Sequence, residues 1–354
     1  MPRKKIIQMI VGLALIVFLG VGGILRSGTI ENPAHWGETM GTSYSVRIVG
    51  KIKQRELKML HARIETRLTE INRQVSTWDP KSEIARFNKQ ESTDPVLCSE
   101  SFATVVRQAL ELSRATDGAF DPTLQPLLNL WGFGSEGDVR QVPSPEDISK
   151  TRNVTGWKKV GINAASELRK SEPGLSLALG AIAKGYGVDE IGVILNDMGY
   201  KNWFAEIGGE VVVRGLNPEG VPWKIGIQHP TTNPMDERLQ GILHITHGSV
   251  ATSGDYRNYI QEDDILYSHI LDPRTGYAVL SDTASVTVSA PTCMDADGIA
   301  TALFVMGDQQ GLLWVEQKPG VEAMILIRGK KGEIIEKFSS GFKAATRYTP
   351  ALNP

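Results

Sequence analysis

The sequence predicts one α+β domain behind a short apolar N-terminal segment. Three observations carry that expectation. The alternation Tyr44, Val46, Ile48 is strand-like, and it runs straight into apolar residues spaced by three and four, Leu57, Leu60, Ile64, Leu68, Ile71 and Val75, which form one helical face. From Phe204 onward the chain is mostly short β-branched and aromatic runs separated by turn residues. No internal repeat divides the 354 residues, and strand and helix signals of one style continue on both sides of the Gly- and Pro-rich stretch 131–149. The 38 basic and 40 acidic residues give a formal charge of −2, so no basic surplus points to nucleic acid. Two cysteines, Cys98 and Cys293, are too few for a disulfide scaffold or a CxxC centre.

In chain order, Arg3, Lys4 and Lys5 precede residues 6–25, twenty positions without a charge, and Arg26 closes the run. That length crosses a hydrocarbon core of ~30 Å as a helix. A cleaved signal usually has a shorter apolar stretch and a small-residue exit, which is not evident here, so residues 1–26 are expected to be an uncleaved membrane anchor, with a cleaved signal as the alternative. The flanking cations put the N-terminus in the cytoplasm and the rest on the periplasmic side of a bacterial inner membrane. The domain proper is expected over 34–345. A strand over 40–49 is followed by the helix to Val75, then by a helix from the Ser99 cap to about Thr116, stopped by Asp117 and Gly118. Residues 131–149, rich in Gly, Pro, Ser and acids, are expected to be a surface loop. Short strands are expected at 160–162 and 176–179, a helix over 182–198 ended by Gly199, and strands at 204–213, 223–227, 241–246, 266–271, 284–289, 323–328 and 333–338.

The chain has no GxxxxGK[ST], HExxH or GxSxG segment and no complete GxGxxG opening a βα unit, which excludes P-loop, zincin and α/β-hydrolase chemistry. His244 and His247 sit three apart in an expected strand and so point to opposite faces, against shared metal ligation. Beyond the strand at 284–289, Asp297 and Thr301 lie four apart near the start of a helix. A carboxylate and a hydroxyl there suit Mg²⁺, which takes oxygen ligands and keeps waters. On spacing alone, complementing the helix dipole and packing explain the pair at least as well. Residues 175–187 run from a strand through small residues into a helix start that carries Lys184, an arrangement that suits phosphate and equally suits close packing. Residues 251–259 combine hydroxyls, an acid and Arg257 in an expected Gly-containing turn. His269 falls in a strand that ends at a Pro-containing turn, where a neutral imidazole can take a proton from a hydroxyl or serve only packing. Arg274 is expected to hold that turn.

Together these segments resemble the ApbE family of FAD:protein FMN transferases. The resemblance runs through Met40 to Thr42, Ser76 to Trp78, Ala115 to Pro122, Leu130 to Gly134, Gly180 to Gly185, Glu206 to Glu210, Ala251 to Tyr259, Ser268 to Gly276 and Ala296 to Leu303. It implies a single α+β flavin-binding domain in which Met40, Trp78, Ala119, Phe120, Asp121, Lys184 and Ile270 contact FAD. It further implies that Asp297, Thr301 and the Ala181 carbonyl hold Mg²⁺ and that His269 activates the acceptor hydroxyl. The implied reaction moves FMN from FAD, as substrate, to a Thr or Ser of an extracytoplasmic redox protein carrying a flavinylation motif, with AMP leaving. One position departs from the pattern: Ala178 stands where the family has an Asp of the FAD site. A non-catalytic flavin-binding or assembly factor, or an FAD pyrophosphatase, therefore remain the alternatives.

Overall fold

Eight antiparallel strands build the main sheet, in the spatial order Ile334–Phe338, Glu322–Arg328, Thr283–Ala290, His247–Gly254, Glu210–Arg214, Trp203–Ile207, Thr42–Ile48, Ala34–Thr39. The structure is a computed structural model that describes residues 28–351 other than 138, 139, 234, 235, 257 and 264. The expected anchor and Arg257 lie outside the described residues. Among those residues, no helix is long and apolar enough to cross a membrane.

Both faces of the sheet are covered, which explains why its inner strands read as unbroken apolar runs. In Glu322–Arg328, Ala323 and Ile325 face a helical layer, while Met324 and Leu326 face the other way. The helical layer comprises Gln54–Val75, Glu100–Ala115, Gly180–Asp197 and Cys293–Val315. On the far face sits a small sheet of Trp223–Gln228, Leu239–Ile245 and Thr349–Pro350, with Phe342 of the short helix Phe342–Thr346 filling the space between. Cys98 and Cys293 are buried, unpaired thiols.

Two helices meet closely where the site forms. A Cβ on Gly185 would lie 2.2 Å from the Cys293 carbonyl oxygen and 2.7 Å from the Met294 nitrogen. One helix therefore passes the N-terminus of the other at backbone contact, and Asp189 caps it by accepting the Cys293 and Met294 N–H groups, both at 2.9 Å. Burial raises the Asp189 carboxyl to about 6. Gly185→Ala is expected to cost at least about 2 kcal/mol, because rigid backbone atoms must move to admit the methyl. Urea unfolding measures this, and an unchanged midpoint would contradict the close approach.

Several local expectations are corrected. The stretch 131–149 is not all loop: Pro145–Arg152 is a helix capped by Ser144, which accepts the Asp147 N–H at 3.1 Å and donates to its carboxylate at 2.7 Å. Helices Glu83–Lys89 and Gln125–Leu130 were not foreseen. Residues 176–179 form no strand; Glu167–Lys170 is the strand instead, between Val160–Ile162 and Val96–Leu97. The alternation of Leu175, Leu177 and Leu179 is real, since all three are fully buried. Its ladder, however, is supplied by a side chain, with the Asn88 amide bonding the Leu177 carbonyl at 2.9 Å and the Leu177 N–H at 2.7 Å. The run 204–213 splits at Gly208 and Gly209, with φ of +62° and +109°. Ala251 to Gly254 belong to a central strand, not a turn. His244 and His247 fall on two successive strands, Leu239–Ile245 and His247–Gly254, and His244 contacts Thr349. The strand expected over 266–271 stops at Ser268, after which Leu271 makes a single bridge to Ala278.

Candidate active site

The N-terminus of Gly180–Asp197 opens into a cavity of about 420 Å³. Among the described residues no side chain caps that helix, and a Cβ on Gly180 would meet nothing within 4 Å, so the first turn faces open space. Unsatisfied N–H groups at such an end favour anions. The rest of the wall comes from Ala119 to Asp121, from the strand pair around Gly208 and Glu210, from Thr252 to Gly254, from His269 to Leu271 and from Asp297 and Thr301.

At its floor, one cation sits between two buried carboxylates. Lys184 Nζ lies 3.6 Å from Glu210 Oε1 and 3.6 Å from Asp297 Oδ1. Burial opposes the lysine's charge, but Asp297 and Glu210 outweigh it and raise its pKa. Burial, together with the Asp297 charge, pushes the Glu210 carboxyl up against the opposing pull of Lys184. Glu210 Oε2 is buried with no hydrogen-bond partner among the described residues. Asp297 Oδ2 accepts the Gly185 N–H at 3.0 Å. In a regular helix that donor serves the Ala181 carbonyl four residues back, so the two oxygens compete for it. Thr301 Oγ1 contacts Ser253 Oγ at 3.1 Å. A carboxylate, a hydroxyl and a carbonyl whose helical donor is shared form an all-oxygen set, which fits a hard cation such as Mg²⁺ with room for water and phosphate.

His269 lines the same cavity. Its Nδ1 lies 3.1 Å from the Asn258 carbonyl oxygen, and its ring meets Phe133 edge-on at 6.3 Å. A carbonyl only accepts, so Nδ1 carries the hydrogen in this contact and Nε2 of the neutral ring is left as the base. Burial lowers the imidazole's pKa from 6.5, with Lys184 and Arg140 adding to the effect, against the Asn258 carbonyl and Asp255.

Of the residues expected to act, Ala119, Phe120, Asp121, Ala181, Lys184, His269, Ile270, Asp297 and Thr301 all line the cavity. Asp121 spends its carboxylate on the fold: Oδ1 accepts from Thr123 at 2.8 and 2.6 Å, and Oδ2 accepts the Trp157 N–H at 2.9 Å. Met40 and Trp78 are not among the lining residues. Met40 occupies the turn between Ala34–Thr39 and Thr42–Ile48 at φ +50°, and its methyl would lie 2.9 Å from a Cβ on Gly187. Trp78, 71% exposed, lines a neighbouring cleft of about 400 Å³ together with Gln125, Asn129 and Ser176. Leu124 and Leu128 of the cavity wall adjoin Gln125 and Asn129 of that cleft in sequence, and Ala178 of the wall lies two residues from its Ser176. Ala178 itself lines the cavity and brings no carboxylate. Arg274 holds its turn, binding Asp272 at 2.9 and 2.8 Å. Glu210, Ser253 and Phe133 were not expected among the site residues. The signal for Glu210 was an acid opening the apolar run Val211 to Val213, since a charge in a buried strand needs a partner.

Residues 40–325 match the model of the ApbE family. A FAD:protein FMN transferase of Vibrio cholerae serotype O1 is 40% identical over 330 residues, covering 92% of this chain and 97% of that protein. A FAD:protein FMN transferase of Haemophilus influenzae is 38% identical, covering 88% and 90%. The solved structure of the flavin transferase ApbE from Vibrio cholerae superposes with a TM-score of 0.81 at 39% identity, over 90% of this chain and 99% of its own. The apo flavinyl transferase ApbE of Pseudomonas stutzeri gives 0.80 at 34% identity, over 90% and 98%. The chain belongs to the ApbE family.

Proposed function

We propose that this cavity transfers FMN from FAD to a Thr or Ser hydroxyl of a protein acceptor. The observation that carries this is the gathering of Lys184, Glu210, Asp297, Thr301 and His269 around one uncapped helix N-terminus, in a chain of this family. The acceptor oxygen attacks the FMN-side phosphorus of the pyrophosphate; the bond to the bridging oxygen breaks, and AMP leaves with that oxygen. His269 Nε2 takes the hydroxyl proton. Lys184 and the open N–H groups of Gly180–Asp197 hold the phosphate oxygens, and Phe120 and Ile270 give the flavin an apolar wall. Asp297, Thr301 and the Ala181 carbonyl would hold Mg²⁺, which supplies Lewis-acid stabilisation of phosphate charge.

The same proposal places residues 6–25 in a bacterial inner membrane, with the domain on the periplasmic side and extracytoplasmic redox proteins as acceptors. A denaturing gel tests the transfer. With FAD, Mg²⁺ and an acceptor domain, yellow-green fluorescence should migrate with the acceptor, and one AMP should appear per flavin bound. Free FMN without labelled acceptor would mean that water is the acceptor. Ala178 favours a second reading, a flavin holder without transfer. Under it Ala178→Asp restores labelling to an inert protein, whereas under the first reading the variant changes FAD affinity in an enzyme that is already active.

A further inference from the structure

We propose that the surface formed by the strand pair Thr29–Glu31 and Lys51–Lys53 and the first turns of Gln54–Val75 rests on an anionic bilayer, which fixes the orientation of the catalytic domain above the membrane. This rests on the proposed anchor at residues 6–25. The first described residue fixes the place: the Gly28 carbonyl accepts the Gln54 N–H at 3.0 Å, so the chain enters the domain at the N-terminus of that helix. Only Arg26 and Ser27 lie between Leu25 and Gly28, a reach of at most about 10 Å over three chain steps. If residues 6–25 span the bilayer, this corner of the domain is held at the headgroups by the covalent chain alone.

The chemistry of the corner matches that position. Lys51, Lys53, Arg55 and Lys58 are all exposed, and none of the four is within ion-pair distance of an acid among the described residues. Ile52 between the two lysines is buried, so Lys51 and Lys53 project outward. Arg55, Lys58 and Met59 lie off the buried stripe of Leu57, Leu60 and Ile64, and this surface continues that of the strands where Lys53 meets Gln54. The only acid between 51 and 58, Glu56, accepts from the Tyr200 hydroxyl at 2.8 Å, and Glu31 lies across the ladder from Lys51. In a chain of net charge −2, this is a local cationic face. Amid the cations, Met59 is 52% and Ile30 39% exposed, apolar tips of the kind that enter a headgroup layer. The positive end of the helix dipole adds to the attraction.

The test uses the full chain reconstituted in phosphatidylcholine vesicles with or without phosphatidylglycerol. A fluorophore on Met59→Cys is read against headgroup-spin-labelled lipid, with Leu313→Cys, at a 66% exposed position, as the control. The native cysteines are buried and do not compete for the label. Quenching at position 59, but not at 313, is expected with phosphatidylglycerol present. The triple variant Lys53→Glu, Arg55→Glu, Lys58→Glu should lose it while transferring FMN to a soluble acceptor at the unaltered rate. Each neutralised cation is worth about fivefold in surface association. A chain that resists alkaline carbonate but shows equal quenching with and without phosphatidylglycerol, or none, overturns the docking surface and leaves the anchor standing. A chain that carbonate strips from the vesicles overturns the anchor, and the docking surface with it.

Discussion

Asp297→Ala is expected to lower transfer of FMN to a protein acceptor by about a thousandfold or more, the scale set by losing a metal-held charge at a phosphoryl centre. Three features of this carboxylate converge on that result. It is 3% exposed, lies 3.6 Å from Lys184, and accepts the Gly185 N–H that the Ala181 carbonyl would otherwise receive. Alanine also leaves that N–H to the Ala181 carbonyl alone, losing one hydrogen bond worth about 0.5–1.5 kcal/mol, so stability falls as well. Asp297→Asn separates the two effects. The amide oxygen still accepts the N–H and the fold keeps its melting point, yet the anionic ligand is gone and transfer stays low. Activity near wild type in the Asn variant would remove Asp297 from the metal site.

His269→Ala should cost about 10²–10⁴-fold in transfer with FAD affinity little changed, the range for loss of a general base. The pH profile makes this specific. The base must be neutral, and burial holds the imidazole below its ordinary 6.5. The neutral form therefore prevails above that lowered value, so log kcat/KM should climb with unit slope at acidic pH and level off by about pH 6.5. The limb should vanish in His269→Ala. A profile that instead falls as pH rises through the same range would mean that the protonated ring acts, as an acid or as a cation on phosphate.

The parts of the fold legible in the sequence are those whose cause is local. One apolar stripe, Leu57 to Val75, gives one helix, and Ser99 caps another by accepting the Phe102 N–H. What escaped was decided by partners far along the chain. Ala251, Ser253 and Gly254 have little strand propensity, yet with Thr252 they pair with Val288, Thr287, Val286 and Ser285 at the centre of the sheet. Leu177 looked like a strand residue because it is buried in alternation, but Asn88 takes the place of the neighbouring strand.

The candidate site divides in the same way. Small residues before Lys184 marked an open helix start, and Asp297 with Thr301 marked one helix face, but spacing alone left both open to packing explanations. Only the three-dimensional contact of Lys184 with Asp297, and with a second carboxylate 26 positions away in sequence, gives those residues a common task. Glu210 could be seen as an acid in an apolar strand, but nothing local named its partner.

Weighing the acceptor tests the central claim most directly. The full chain, FAD, Mg²⁺ and a periplasmic electron-transfer domain with a candidate acceptor Thr are combined, and the acceptor is measured by intact-protein mass spectrometry with and without EDTA. The expected result is a gain of one FMN-phosphoryl unit that EDTA abolishes and that Asp297→Asn fails to produce. An acceptor of unchanged mass, from a protein that nonetheless holds FAD and gains transfer only on Ala178→Asp, would contradict the account and leave this cavity as a flavin carrier.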